Sequence, residues 1–286
     1  MKVALNTAIA GGTVNEVRLF REMANLFNTS ISKCTYVEEV HGRKGFIDYY
    51  STFKCASKKV EIADLLIFTY DKFTKQTRIC FLQAKYKNDI YNDNLKFDAN
   101  IFQWELLRDK PVVTSTKFPT NILNFRNDYA SITAYGIFYY DNTGNIDFLY
   151  TLPRHINPLR DVVPPENKAI RKYKFIHNCC KPNILCNMGF DINETISTCS
   201  INIFANQILN CRIGAPINST IRPNIIRMLK SMRLTPNNAL VINELLNYLD
   251  DNSTIDDNRL NNADYNPAAI IVVTDSSKAE NIFIND

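Results

Sequence analysis

The chain has 286 residues, 45% of them hydrophobic and 11% aromatic, with 33 Lys and Arg against 29 Asp and Glu and a net charge of +4. That supports one large domain, or a domain of roughly 150 residues with a companion. No run of about 18 uninterrupted apolar residues occurs, which excludes a simple bilayer-spanning helix. The mild, interspersed charge is compatible with nucleic acid but does not demand it.

Residues 1–16 are too short and too weakly apolar for a secretory signal, so no membrane partner and a cytoplasmic location are expected. Thr13 and Glu16 stand at capping-box spacing, and Val17, Phe20, Met23, Ala24 and Phe27 recur on one helical face. The spacing predicts a first helix over 14–28. A strand is expected near 34–40, then a basic turn at His41-Gly42-Arg43-Lys44-Gly45. Two apolar runs, 62–70 and 79–86, flank a charged stretch at 71–77 and predict a β-hairpin. Residues 95–109 predict a second helix with Phe97, Ile101, Trp104 and Leu107 on its apolar side and Pro111 beyond its end. The runs 131–140 and 146–151, around Asp141-Asn142-Thr143-Gly144-Asn145, predict another strand pair.

Pro153, Pro158, Pro164 and Pro165 mark a connecting segment. After it come an expected strand near 201–208, helices near 224–232 and 237–250, an Asp- and Asn-rich loop at 251–266 and a buried strand at 269–274. This order predicts an α/β (α+β) fold with a mixed central sheet flanked by helices. The expected division is a domain over 1–155 and a C-terminal extension or second subdomain over 156–286. Eight cysteines are present. Cys80 reads as a small core residue. The run HNCCKPNILC at 177–186 fits no paired C-x-x-C knuckle, so reduced, mostly buried thiols are expected rather than structural zinc.

Three polar residues interrupt the apolar hairpin. Asp64 lies in its first run; Gln83 and Lys85 lie two apart in the second and therefore share a face. Such groups are costly to bury unless paired or bound to an ion. A carboxylate, an amide oxygen and an ammonium on neighbouring strands fit metal-assisted phosphodiester hydrolysis. Mg²⁺ takes oxygen ligands and keeps several waters, and a nearby lysine can orient a water and offset developing charge.

The pattern Asp64…Gln83-Ala84-Lys85, on a hairpin between two helices, resembles the PD-(D/E)xK nuclease superfamily. It is most similar to the branch with Gln at the third position, found among restriction-like enzymes and anti-phage effector nucleases. The resemblance covers roughly residues 10–150 and implies a restriction-endonuclease-like sheet between helices, dependence on Mg²⁺ or Mn²⁺, and cleavage of double-stranded DNA. It assigns Asp64 and Gln83 as metal ligands, Lys85 as the catalytic lysine, Glu16 as an acid from the first helix, and Gln103 as a Gln from the second. It also implies a homo-oligomer or a partner protein in a defence complex. Ala63 stands where the family pattern has Pro. Gln in place of an acid at position 83 removes one negative charge, which weakens cation affinity unless Glu16 or Glu61 compensates.

Bland readings stand beside these. Glu16 can be only a capping partner of Thr13, and Gln103 only a solvent-facing helical residue. Lys85 can be a charge that guards an edge strand. Glu61, three residues before Asp64, faces away from it on a regular strand. Lys72, Lys75 and Arg78 read as solvated charges. Gln103, the group His41, Arg43 and Lys44, the cluster Arg171, Lys172 and Lys174 around Tyr173, and Arg227 with Lys230 are candidate DNA-facing groups that amphipathic surfaces would equally produce. The alternative function is a catalytically inactive nuclease-fold protein acting as a nucleic-acid-binding or complex-forming subunit. No RNA-recognition module is visible.

Overall fold

The computed structural model describes residues 1–30, 35–38, 46–71, 76–90, 95–114, 123, 130–159, 172–177, 195, 197–231, 242–243, 245–249 and 269–274. The chain opens with a helix the sequence reading did not expect, α1 (Lys2–Ile9), which buries Leu5 and Ile9 one turn apart. Helix α2 (Glu16–Ser30) follows. Its cap is Asn15, whose Oδ1 accepts from Arg18 N at 2.9 Å. Asn caps as well as Thr does, so the Thr13–Glu16 capping box is not formed and Glu16 is left to other partners. Leu19, Phe20, Met23, Ala24 and Phe27 form the buried stripe, while Val17 is exposed.

The strands are β1 (Thr35–Glu38), β2 (Phe46–Ser51), β3 (Ala56–Glu61), β4 (Leu65–Asp71), β5 (Thr77–Ile90) and β6 (Leu95–Asn100), then α3 (Ile101–Asp109) and β7 (Val113–Thr114). Next come β8 (Thr133–Tyr140), β9 (Ile146–Thr151), β10 (Ile156–Pro158), β11 (Lys172–His177), β12 (Ser197–Thr198), α4 (Ile201–Leu209), β13 (Ala215–Pro216), α5 (Arg222–Ser231) and β14 (Ala269–Thr274). The expected hairpin forms: β4 and β5 pair antiparallel from Leu65↔Leu82 to Tyr70↔Thr77. So does the second pair, β8 with β9.

Two expectations fail. Residues 95–109 are not one helix, because Leu95, Phe97 and Ala99 are buried while Lys96 and Asp98 are exposed, a period of two that makes β6. The helix starts only at Ile101, capped by the Asn100 side chain accepting from Phe102 N. The expected strand at 201–208 is α4 instead, with Ile201, Phe204, Ala205 and Ile208 buried at helical spacing and Ser200 accepting from Asn202 N. The helix expected from 224 begins two residues earlier, and residues 242–243 and 245–248 are helical. The basic turn at 41–45 and the loop at 251–266 lie outside the described residues.

The result is an α+β fold with one dominant mixed sheet. Its order is β1-β14-β4-β5-β8-β9-β12, with β13 against β5, and two three-stranded sheets, β10-β11-β6 and β3-β2-β7, accompany it. Pairings of β5 with β8 and of β14 with β4 are parallel. One face of the sheet, through Leu65, Ile67, Cys80, Leu82, Ala84 and Phe138, packs on residues of α1, α2 and α4. The other, through Leu66, Phe68, Ile79, Phe81, Tyr135 and Ile137, packs on α3, α5 and the small sheets. Strands beyond residue 155 are built into these same sheets: β11 on β6, β12 on β9, β13 on β5, and β14 between β1 and β4. Among the described residues no helix is long and apolar enough to cross a membrane.

Candidate functional site

Between β3 and β4 the chain leaves the strand for three residues, 62–64, before the ladder resumes at Leu65. Asp64 sits just ahead of β4, and its N donates to Leu82 O at 3.1 Å. The register Leu65↔Leu82 carries on by one step to set Asp64 across from Gln83. Residues opposite one another on an antiparallel pair point to the same face, and the parity of Leu66, Phe68 and Phe81 makes that the α3 face. Hence the spacing of Asp64 and Gln83 brings their tips together.

They touch. Gln83 Nε2 donates to Asp64 Oδ2, which also accepts Ala84 N at 2.7 Å. From α3, Gln103 Nε2 donates to Gln83 Oε1 and to the Glu61 carbonyl at 3.1 Å. Gln83 and Gln103 are only 2% and 6% exposed, so the reading of Gln103 as a solvent-facing residue is overturned. Helix α3 is locked in place by a second buried group, Glu105. Its carboxylate accepts from Ser51 Oγ, Thr52 N and Oγ1, Phe53 N and Tyr49 OH at 2.5–3.2 Å. That network ties α3 to the β2–β3 turn and so sets where Gln103 reaches.

Lys85 shares the face of Gln83 on β5 but lies beyond the last rung of the β4–β5 ladder, Leu65↔Leu82. Its Nζ donates to Ala84 O at 2.6 Å and to Glu16 Oε1, in the first turn of α2, at 3.3 Å. The structure therefore gathers Asp64, Gln83, Lys85, Glu16 and Gln103 into one network.

Glu61 joins the network electrostatically, contrary to its expected outward direction. The irregular step at 62–64 ends the alternation that would have turned it away. Burial, with the charges of Asp64 and Glu16 added and Lys85 opposing, pushes the Glu61 carboxyl up to about 7. Burial likewise pushes Asp64 up to about 6, helped by Glu16 and opposed by Lys85 and by the donors Ala84 N and Gln83 Nε2. Three acids in mutual repulsion around one lysine make a site that gains from a further cation.

Tyr135 is a residue the sequence reading missed. It is the Cα partner of Gln83 across the parallel β5–β8 pair. Its hydroxyl is fully buried, has no hydrogen-bond partner among the described residues, and is pushed up by burial and then by the charge of Asp64. Only its place beside Gln83 in the sheet could have revealed it.

The donor set suits a hard divalent ion: carboxylate oxygens of Asp64 and Glu16 or Glu61, the Gln83 amide oxygen and the Ala84 carbonyl. Among the described residues no three His, Cys, Asp or Glu side chains form a ready cage. An ion here would rest on amide and carbonyl oxygens and on water, as Mg²⁺ commonly does.

Of the candidate DNA contacts with described side chains, Gln103 alone joins this network. Arg43 and Lys44, and the Lys172 side chain, lie outside the described residues. Lys174 is exposed on β11, across from exposed Asp98 on β6, in a different sheet from Gln83 and Lys85. Arg78, expected as a solvated charge, is fully buried on β5, and its Nη1 donates to Gly214 O at 2.8 Å. No family model matches the chain, nor does any curated protein match it.

Proposed function

We propose that this protein is a Mg²⁺- or Mn²⁺-dependent DNA endonuclease with a restriction-endonuclease-like core, acting in restriction or anti-phage defence. The single observation that carries this reading is the convergence of Asp64 and Gln83 from adjacent antiparallel strands, with Lys85 beside them and Glu16 and Gln103 arriving from helices on opposite faces of the sheet. The bound cation would polarise the scissile phosphate and make water a better nucleophile. Asp64 and the Gln83 oxygen would hold it, with Ala84 O and Glu16 as further oxygens. Lys85 Nζ would bring a positive charge beside Ala84 O and Glu16, donate to an attacking water and offset charge developing on the phosphate. Glu61, held near neutrality by burial, is placed to exchange a proton at working pH.

The test is cleavage of plasmid and linear double-stranded DNA with Mg²⁺ or Mn²⁺. Wild type should cut; Asp64→Asn and Lys85→Ala should each lose at least about a hundredfold in rate, the scale of removing one general-acid–base or charge-stabilising group. Full activity in both variants would end the proposal.

One observation favours a catalytically silent relative that binds nucleic acid or a partner. Gln83 turns its nitrogen, not its oxygen, toward Asp64. Calorimetry separates the two: Mn²⁺ bound by wild type supports the enzyme, whereas binding gained only with Gln83→Glu supports the silent subunit.

A further inference from the structure

The oxygens that Asp64, Gln83 and Ala84 turn toward one another are engaged by internal donors. Asp64 Oδ2 takes Gln83 Nε2 and Ala84 N, Gln83 Oε1 takes Gln103 Nε2, and Ala84 O takes Lys85 Nζ. An ionised carboxylate only accepts hydrogen bonds, so the Gln83 group facing Asp64 must be its nitrogen. A cation between Asp64 and Gln83 needs the reverse, with the Gln83 oxygen turned inward. Turning the carboxamide sends its nitrogen toward Gln103, where a donor now stands. A buried donor facing a donor costs the full penalty of an unmade hydrogen bond. Position 103 must therefore donate in one state and accept in the other. A side-chain amide does both without changing its protonation state.

We propose that Gln103 is a positioning residue acting through Gln83. Its amide holds the Gln83 nitrogen toward Asp64 in the ion-free site and, by turning with it, holds the Gln83 oxygen toward Asp64 when a divalent ion is loaded. The inference rests on the metal-dependent reading above and adds the device that lets a Gln replace the acid at position 83. The second bond of Gln103, to the Glu61 carbonyl at the end of β3, ties the same turn to the residue that ends the strand before Asp64. Loading is thus coupled to the 62–64 step as well as to α3.

The test is a set of Mn²⁺ titrations by calorimetry, with Mg²⁺ and side-chain amide NMR as the second readout. Gln103→Glu, titrated at alkaline pH where it is ionised, supplies an acceptor only. Against Gln83 it should tighten Mn²⁺ binding about tenfold, the worth of one hydrogen bond to a charged acceptor. In the Gln83→Glu background, where both ends of the side chain are alike, the same change should tighten binding less than about threefold, leaving only the added charge. The side-chain amide signals of residues 83 and 103 should shift together in wild type at one Mg²⁺ concentration. Gln103→Met, which keeps volume but takes the donor from both Gln83 Oε1 and the Glu61 carbonyl, should lower the melting temperature by a few degrees and broaden or split the Gln83 signal. Equal effects of Gln103→Glu in the two backgrounds, or a Gln83 signal that moves while the Gln103 signal stays, overturn the proposal and leave the metal site standing. Absence of saturable Mn²⁺ binding sensitive to Asp64→Asn overturns the proposal and the metal-dependent reading together.

Discussion

Replacing Asp64 with Asn should make the protein more stable at alkaline pH while disabling its site. Asp64 is partly buried, and burial, with Glu16 adding repulsion, pushes its carboxyl from the ordinary 3.8 up to about 6. A carboxyl raised in this way binds its proton more tightly folded than unfolded. Stability therefore falls as pH rises from about 4 to about 6, and the penalty is complete above that. A rise of that size corresponds to roughly 3 kcal/mol at pH 8. Asn keeps an oxygen for Ala84 N and Gln83 Nε2, so Asp64→Asn removes the charge without orphaning either donor. Urea unfolding in EDTA should show the variant about 2–3 kcal/mol more stable at pH 8, with the gain shrinking toward zero by about pH 4. A variant no more stable than wild type at pH 8, or a gain that does not change with pH, would refute the account of Asp64 as a buried charge kept for function.

Divalent-ion loading should release protons, because Asp64 and Glu61 titrate near 6 and 7. Mn²⁺ affinity should rise with pH up to about 7 and then level, and calorimetry in buffers of different ionisation heat should count the protons. Glu105→Ala should cost about 2–3 kcal/mol in urea unfolding, since it takes a charged acceptor from the buried Ser51 hydroxyl and from the Thr52 and Phe53 amides, while the Tyr49 hydroxyl keeps Phe102 O. Tyr135→Phe, which deletes a buried hydroxyl without a described partner, should change stability by less than about 1 kcal/mol or raise it. A larger loss would mean that the hydroxyl is held by an ordered water.

The hairpin was legible because its information is local: two apolar runs, a polar interruption, and a spacing that the Leu65↔Leu82 register turns into contact. The same local logic failed where a pattern changed period within a few residues. Leu95, Phe97 and Ala99 alternate, but Ile101, Trp104 and Leu107 behind them are helical, and across the joint Phe97, Ile101, Trp104 and Leu107 mimic the spacing of one helix. At 201–208 the opening Ile-Asn-Ile imitates a strand, and only the distance from Ile201 to Phe204, Ala205 and Ile208 reveals α4. An unbroken strand would turn Glu61 away from Asp64, and the irregular step at 62–64 removes that constraint.

The partners of the site were less legible than its members, for a physical reason. Composition can nominate an acid, an amide and a lysine, but whether Gln83 presents oxygen or nitrogen is decided by Gln103, twenty residues away on a helix. That helix is held by Glu105 against a turn more than fifty residues earlier in the chain. The reach of Lys85 is likewise set by Glu16, whose freedom depends on Asn15 taking over the cap. Each donor's identity is a property of one residue, whereas its orientation belongs to a network that closes only when α2, β5 and α3 are packed around the sheet. Substitutions distant in sequence, at Asn15 or Glu105, should therefore alter cation binding through Lys85 and Gln83 without touching either.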